Sequence, residues 1–220
     1  MTLGTNVHLL PQTNHLRALH TIIRDKYVTR ADFVFYSRRI IRLLLEAGMD
    51  LLPFDKHKVT TPIGETYEGL RLGSKLCGVA VVRAGESMEV ELREVRPSIR
   101  IGKILIQRDR QTKLPHLYYS SLPADIAGRH VLLLEPMLAT GGSALAAIDV
   151  LRRAGVAAEK IILINFLASS QGILAVSQAH PTLKMVTSSI EDGLNQDAYM
   201  MPGIGDFGDR YFGTTSSGPK

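Results

Sequence analysis

Apolar runs bounded by polar or turn-forming residues mark buried strands at Cys77 to Val82, Val131 to Leu134, Lys160 to Leu167 and Leu183 to Ser188. Short runs without strict alternation suit strands covered on both faces. Between them, apolar residues recur at helical spacing. Phe33, Tyr36, Ile40, Ile41 and Leu44 predict a long helix capped by Asp32 and ended by Gly48. Leu16 to Asp25, Glu86 to Val95, the stretch carrying Leu145, Ile148 and Leu151, and Gln171 to Ala179 predict further helices. Strand alternating with helix implies a parallel sheet with right-handed crossovers, an α/β architecture. Ile101 to Gln107 alternates differently, and a second β segment, Leu117 to Ser120, follows after about ten residues, longer than common hairpin loops and suited to a lid. Residues 1–15 read as a loose arm, and Leu51 to Gly73, broken by Pro53, Pro62 and Gly64, as a loop or short hairpin. Met200 to Thr214 carries Pro202, Gly203, Gly205 and Gly208, which exclude a helix or a central strand and leave a specific loop.

The chain is organised around His130 to Ala154, where an apolar strand passes through Glu135 and the turn Thr140-Gly141-Gly142-Ser143 into an amphipathic helix. The two glycines let backbone approach an anion, Thr140 and Ser143 offer hydroxyls, and the helix start presents unpaired N–H groups at its positive dipole end. That is a phosphate cradle. Phosphate repels a carboxylate, so Glu135 must serve something else, and ribose hydroxyls or a metal fit. A second turn, Arg83-Ala84-Gly85-Glu86-Ser87, follows the strand Cys77 to Val82 and offers another anion a guanidinium and backbone donors. Both turns stand at strand C-terminal ends, the edge where open α/β sheets bind ligands. In Met200 to Thr214, glycines alternate with Asp206 and Asp209 beside Phe207, Tyr211 and Phe212, an arrangement suited to reading a flat heterocycle along its edge.

Composition narrows the classes. The 220 residues are 45% hydrophobic and 21% charged, as for one globular domain, and the single cysteine, Cys77, excludes an intrachain disulfide or a thiolate cluster. The net charge of +5 comes from scattered Lys and Arg, which favours a small polyanionic substrate over nucleic acid. No targeting segment or membrane span is evident, and a cytoplasmic location is the expectation. Signatures of serine hydrolases, zinc proteases and P-loop kinases are missing.

VRAGESME, RIGKILIQRD, SLPADI, EPMLATGGS and PGIGDFGDRYFGT occur in this order, and from about Ile22 to Gly213 the chain resembles uracil phosphoribosyltransferases of the eukaryotic type. The resemblance implies a type I phosphoribosyltransferase-like parallel sheet flanked by helices in a single domain, with residues 101–121 as a small β-hairpin hood; residues 1–15, the N-terminal arm, and 214–220, expected to be a disordered tail, fall outside it. It implies a glycosyltransferase of pyrimidine salvage, making UMP and diphosphate from uracil and phosphoribosyl diphosphate (PRPP) with Mg2+. Glu135, Pro136, Met137, Leu138, Ala139, Thr140, Gly141, Gly142 and Ser143 match the PRPP loop, Arg83 and Arg108 the diphosphate end, and Met200, Gly205, Asp206 and Phe207 the uracil segment. Asp206 also faces PRPP, and either orients metal-bound water or takes the N1 proton; no direct protein ligand to the metal is assigned. Arg30, Arg39, Lys75 and Arg100 are the positions a GTP effector would use in an allosteric homodimer or homotetramer. The family pattern has aspartate where Glu135 stands, and the added methylene implies a looser ribose contact or a displaced loop. The competing reading is a non-catalytic PRPP- or nucleotide-sensing regulator of the same fold, with or without RNA as partner.

Overall fold

The computed structural model describes residues 6–108 and 115–214. In chain order the elements are β1 (Val7–Leu9), α1 (Asn14–Arg24), α2 (Arg30–Asp50), β2 (Phe54–Thr60), β3 (Thr66–Leu72), β4 (Leu76–Val82), α3 (Glu89–Val95), β5 (Arg100–Arg108), β6 (Pro115–Ser121), β7 (His130–Leu134), β8 (Met137–Leu138), α4 (Gly142–Arg153), β9 (Ile161–Ser169), α5 (Ser170–Ala179), β10 (Lys184–Glu191), β11 (Gly193–Leu194), β12 (Met200–Met201) and α6 (Phe207–Phe212). The main sheet runs β1-β10-β9-β7-β4-β5-β6, with β8 added to β9. Every pair in it is parallel except β5–β6.

Side chains alternate across this sheet and divide the core in two. Leu132 and Leu134 of β7 with Ile162 and Ile164 of β9 pack under α1, α2 and α6. Val131, Leu133, Ile161 and Leu163 face α4 and α5 with Ala147, Ile148, Leu151 and Val176. Burial at all nine positions of β9 explains why it reads as an apolar run broken only by Asn165 and the terminal Ser169. From β4 the chain passes to β5 on one side and later to β7 on the other, so a topological switch point lies between β4 and β7. Ala80 is in register with Leu134, which sets the turns after the two strands side by side.

Several expectations are corrected. The arm is partly ordered, since Val7–Leu9 adds a parallel strand to β10. Asp32 does not cap α2: the Thr29 hydroxyl accepts from the Asp32 N–H and in turn donates to the Asp32 carboxylate. Gly48 does not end α2 but lies within it, where a Cβ would come 2.4 Å from Ile164 Cδ1. The absent side chain is a packing requirement rather than a stop. Leu51 to Gly73 contains a long antiparallel hairpin, β2–β3, exposed along almost all its length. Glu86 to Val95 begins as a 3-10 turn, Ala84–Met88, before α3. The C-terminal loop holds regular structure after all: β12 pairs with β11, and α6 is a short helix capped by the Asp206 side chain. Of the predicted tail, Thr214 is bonded to Arg83, and the rest lies outside the described residues.

Candidate active site

The turn after β7 is held from below. Asn165, buried in β9, donates to the Glu135 and Pro136 carbonyls at 3.0 and 3.1 Å, and its own carbonyl accepts from Thr187 Oγ1. Ser169 donates to the Ala139 carbonyl at 2.5 Å while accepting from the Gly172 N–H. Gly141 takes φ 85° at the start of α4 and offers no side-chain cap, whereas Thr13, Thr29, Ser169 and Asp206 cap α1, α2, α5 and α6. Among the described residues no side chain caps the first N–H groups of α4, an arrangement suited to an anion. Pro115 of β6 would lie 4.0 Å from a Cβ on Gly142, so the β5–β6 hairpin flanks the cradle.

Gly172 fixes how low this loop can sit. A Cβ there would come 2.6 Å from the Leu138 carbonyl oxygen and 2.7 Å from that of Ala139, and backbone cannot swing aside as a side chain can. Gly172→Ala is expected to lift the loop and weaken anion binding at the cradle roughly tenfold, since small misplacements of binding groups weigh heavily. Titration with inorganic phosphate checks this, and an unchanged affinity would show the loop tolerates the shift.

At the neighbouring turn, Arg83 donates from Nη2 to Asp209 Oδ1 and from Nη1 to Thr214 Oγ1, both at 2.6 Å, and its guanidinium lies 5.7 Å from the Phe212 ring centroid. Thr214 and Arg83 hold the Asp209 carboxyl below its ordinary range. A Cβ on Gly85 would sit 2.2 Å from the Leu134 carbonyl oxygen, so only glycine lets this turn close against β7.

These turns and the C-terminal loop enclose a cleft of about 290 Å³, lined by Arg83 and Ala84, by Met137 and Ala139, by Tyr199 and Met200, and by Ile204 to Gly208. Three separate stretches singled out in the sequence thus meet. Within the predicted PRPP loop, Met137 and Ala139 border the cleft, Thr140, Gly142 and Ser143 are half-buried, and Glu135, Pro136, Leu138 and Gly141 are buried. Glu135 is 7% exposed, and its carboxyl has no hydrogen-bond partner among the described residues; burial pushes it up to about 8. Arg108 ends β5, and its side chain lies outside the described residues, as does Asp109.

The aromatic residues are placed differently from expectation. Phe207 is 1% exposed and its ring packs on Phe33, Phe166 and Tyr211, so it supports the loop from the core. Tyr199, half-exposed on the rim, is the ring the cleft presents. Sequence reasoning passed over it because a single Tyr among polar residues carries no periodic signal. Asp209, Asn165 and Ser169 were likewise missed as supports, their partners being far away in sequence.

A larger groove, about 580 Å³, lies between α1, α2 and α3 and is lined by Phe35, Arg38, Arg39 and Arg42. Arg38 and Arg42 are paired there with Glu91 and Glu94, and none of the matched substrate residues borders it. Arg30 stands at the ligand edge, donating to the Tyr211 carbonyl, whereas Lys75 and Arg100 lie at the opposite end of the sheet beside the starts of β4 and β5. One chain does not bring the four together.

A parallel sheet whose switch point sets a Gly-turn phosphate cradle beside an arginine turn defines the phosphoribosyltransferase class of fold. The fold is shared with a solved Aquifex aeolicus protein, at TM-score 0.84 and 23% identity over 96% of this chain and 100% of that one. It is shared more distantly with a purine phosphoribosyltransferase from Pyrococcus horikoshii, at TM-score 0.50 and 13% identity over 71% and 83%. The chain belongs to the uracil phosphoribosyltransferase family, whose model matches residues 10–214. It is 54% identical over 207 residues to uracil phosphoribosyltransferase of Saccharomyces cerevisiae, covering 94% of this chain and 96% of the relative. With the Dictyostelium discoideum uracil phosphoribosyltransferase it shares 52% over 214 residues, covering 97% and 99%.

Proposed function

We propose that the protein transfers the phosphoribosyl group of PRPP to N1 of uracil, releasing diphosphate and forming UMP. The observation that carries this is the convergence of the loop that leads into the α4 cradle, through Met137 and Ala139, with the Arg83 turn and residues 200–207 on one cleft, in a chain of this family. The 5-phosphate binds the N–H groups of Gly142 and Ser143. Glu135 is assigned to the ribose hydroxyls by its place at the head of the loop, not by the cleft lining, and Arg83 and Arg108 to the diphosphate. Substitution at the anomeric carbon passes through a cationic sugar, so the protein's task is to position three groups and neutralise departing charge. Grip on the remote phosphate supplies binding energy for the reacting carbon. Residues 6–214 act as one catalytic unit, with the β5–β6 hairpin as its hood.

Among the described residues no group of three His, Cys, Asp or Glu side chains could chelate a metal. A single exposed carboxylate on the cleft wall, Asp206, fits Mg2+, which keeps several waters and binds through one or two carboxylates plus substrate phosphates. When bound, Mg2+ supplies charge neutralisation on the diphosphate. One Asp206 oxygen is already taken by the Asp209 N–H, so the other is left for metal-bound water or the N1 proton.

A homodimer or homotetramer acting in the cytoplasm is the working assembly, with GTP as effector. Arg30 stands apart from Lys75 and Arg100 in one chain, so an effector site using these positions together requires more than one copy. No helix among the described residues is long and apolar enough to cross a membrane. No observation favours the non-catalytic reading.

The direct test is diphosphate release from PRPP with uracil and with cytosine. The bases exchange donor and acceptor at N3 and the 4-position, so fixed backbone groups that pair with one leave polar atoms unpaired with the other. Cytosine is expected to show kcat/KM at least about a hundredfold lower. Comparable turnover would refute edge reading, and no release with either base would refute the transferase reading.

A further inference from the structure

We infer that Arg24, Glu191 and Arg210 form a positioning frame that aims the Ile204 and Gly205 N–H groups into the base end of the cleft. The inference rests on the proposed function and concerns how the base is chosen. Glu191, at the end of β10 and 2% exposed, accepts the Gly203 N–H at 2.7 Å and grips Arg24 through both carboxylate oxygens, at 2.6 and 2.9 Å. Arg24, from the end of α1, donates to the Gly203 carbonyl at 2.9 Å. Both polar groups of Gly203 are thereby tied to one ion pair, whose carboxylate is buried and whose guanidinium is half-buried. Gly203 itself takes φ 64°, and a Cβ would meet the Met200 carbonyl oxygen at 2.1 Å.

Arg210 of α6 holds the next carbonyl. It donates from Nη1 to the Ile204 and Ile23 carbonyls, each at 2.7 Å, and from Nη2 to that of Asp25 at 2.9 Å, with its guanidinium 4.2 Å from the Phe33 ring centroid. It has no carboxylate partner among the described residues: the fork is used to fix backbone between α1 and the loop. Both the Gly203–Ile204 and Ile204–Gly205 peptides are trans. In a trans peptide the N–H points opposite to the C=O. With the Gly203 and Ile204 carbonyls drawn toward the arginines, the Ile204 and Gly205 N–H groups face away from them. Neither has a partner among the described residues, and both residues border the cleft. Two fixed donors suit a ring that offers carbonyl oxygens along its edge.

A simple structural brace would also use these bonds, so the test separates the two. Arg210→Met keeps the apolar stem and leaves no buried carboxylate behind. It is expected to raise KM for uracil at least about tenfold, the loss of one well-aimed hydrogen bond, and to narrow uracil over cytosine discrimination. KM for PRPP is expected to stay within about twofold, because the cradle hangs from β9 and α5 instead. Arg210→Lys, which retains one donor, is expected to recover part of the loss. Glu191→Gln, which keeps an acceptor for Gly203 but weakens the hold on Arg24, is expected to move in the same direction by less. It carries the test if circular dichroism shows Arg210→Met unfolded. Calorimetric titration of the same variants with UMP and with ribose 5-phosphate reads the split without turnover. An inactive natural chain would sink the transferase reading, whereas variants that weaken both ligands alike, or neither, would sink the frame.

Discussion

Glu135→Gln is expected to remove a fall in stability that the natural chain shows as pH rises from about 4.5 to about 8. In the unfolded chain this carboxyl ionises near 4.5, while burial without a hydrogen-bond partner among the described residues raises it to about 8 in the fold. Between those values the folded state holds a proton the unfolded state has released, so each unit of pH costs about 1.4 kcal/mol of stability. The contribution is fully present below 4.5 and fully lost above about 8, with a ceiling of about 5 kcal/mol that relaxation around the charge reduces. Urea unfolding of both proteins across this range would show their difference growing with pH. A constant difference would mean the carboxyl is not buried in its neutral form. There is a functional side to the same proton. A carboxylate in the PRPP loop repels phosphate, but a protonated one does not, and it can donate to a ribose hydroxyl. On the proposed site, KM for PRPP should therefore rise above about pH 8 in the natural chain and less so in Glu135→Gln.

The long methylene arm and the burial of Glu135 have different legibility in sequence. That a glutamate follows the strand is plain from Val131 to Glu135, but its burial depends on β9 and the Asn165 brace, which no local pattern announces. The same division runs through the fold. β4, β7 and β9 were readable because a strand covered on both faces needs a largely apolar run, and β10 because the stretch Leu183 to Val186 at its start keeps one. The three residues of β1 were not, since their partner is β10, 178 positions away at Val7 and Met185. Gly48 reads locally as a helix end, and only the approach of Ile164 reveals why it is glycine. α6 hid in a glycine-rich stretch because a helix of six residues draws its stability from the Asp206 cap and the burial of Phe207 and Tyr211, not from propensity. At the site, the cradle and Arg83 turn were legible as chemistry, each contained in a few consecutive residues. The frame of Arg24, Glu191 and Arg210 was not, being assembled from three elements far apart in the chain.

Arg83→Met is expected to lower kcat by about 10²–10³, the usual consequence of removing one fixed donor from the place where charge develops. Arg83 stands at the mouth of the cleft, on the turn that the switch point sets beside the cradle. Its guanidinium is paired with Asp209 through side chains 43% and 30% exposed, so water screens the attraction and the pair stabilises the fold by no more than about 1 kcal/mol. A diphosphate carries several charges and can accept both prongs of the fork, which makes exchange of the Asp209 and Thr214 oxygens for diphosphate oxygens favourable. The variant should therefore lose turnover while its urea midpoint scarcely moves, a separation that a stabilising role for Arg83 would not give. Arg83→Lys keeps the charge but not the planar fork, and an intermediate loss follows from that difference. Full activity in Arg83→Met would remove this arginine from the diphosphate end and leave Arg108 to neutralise the leaving group alone.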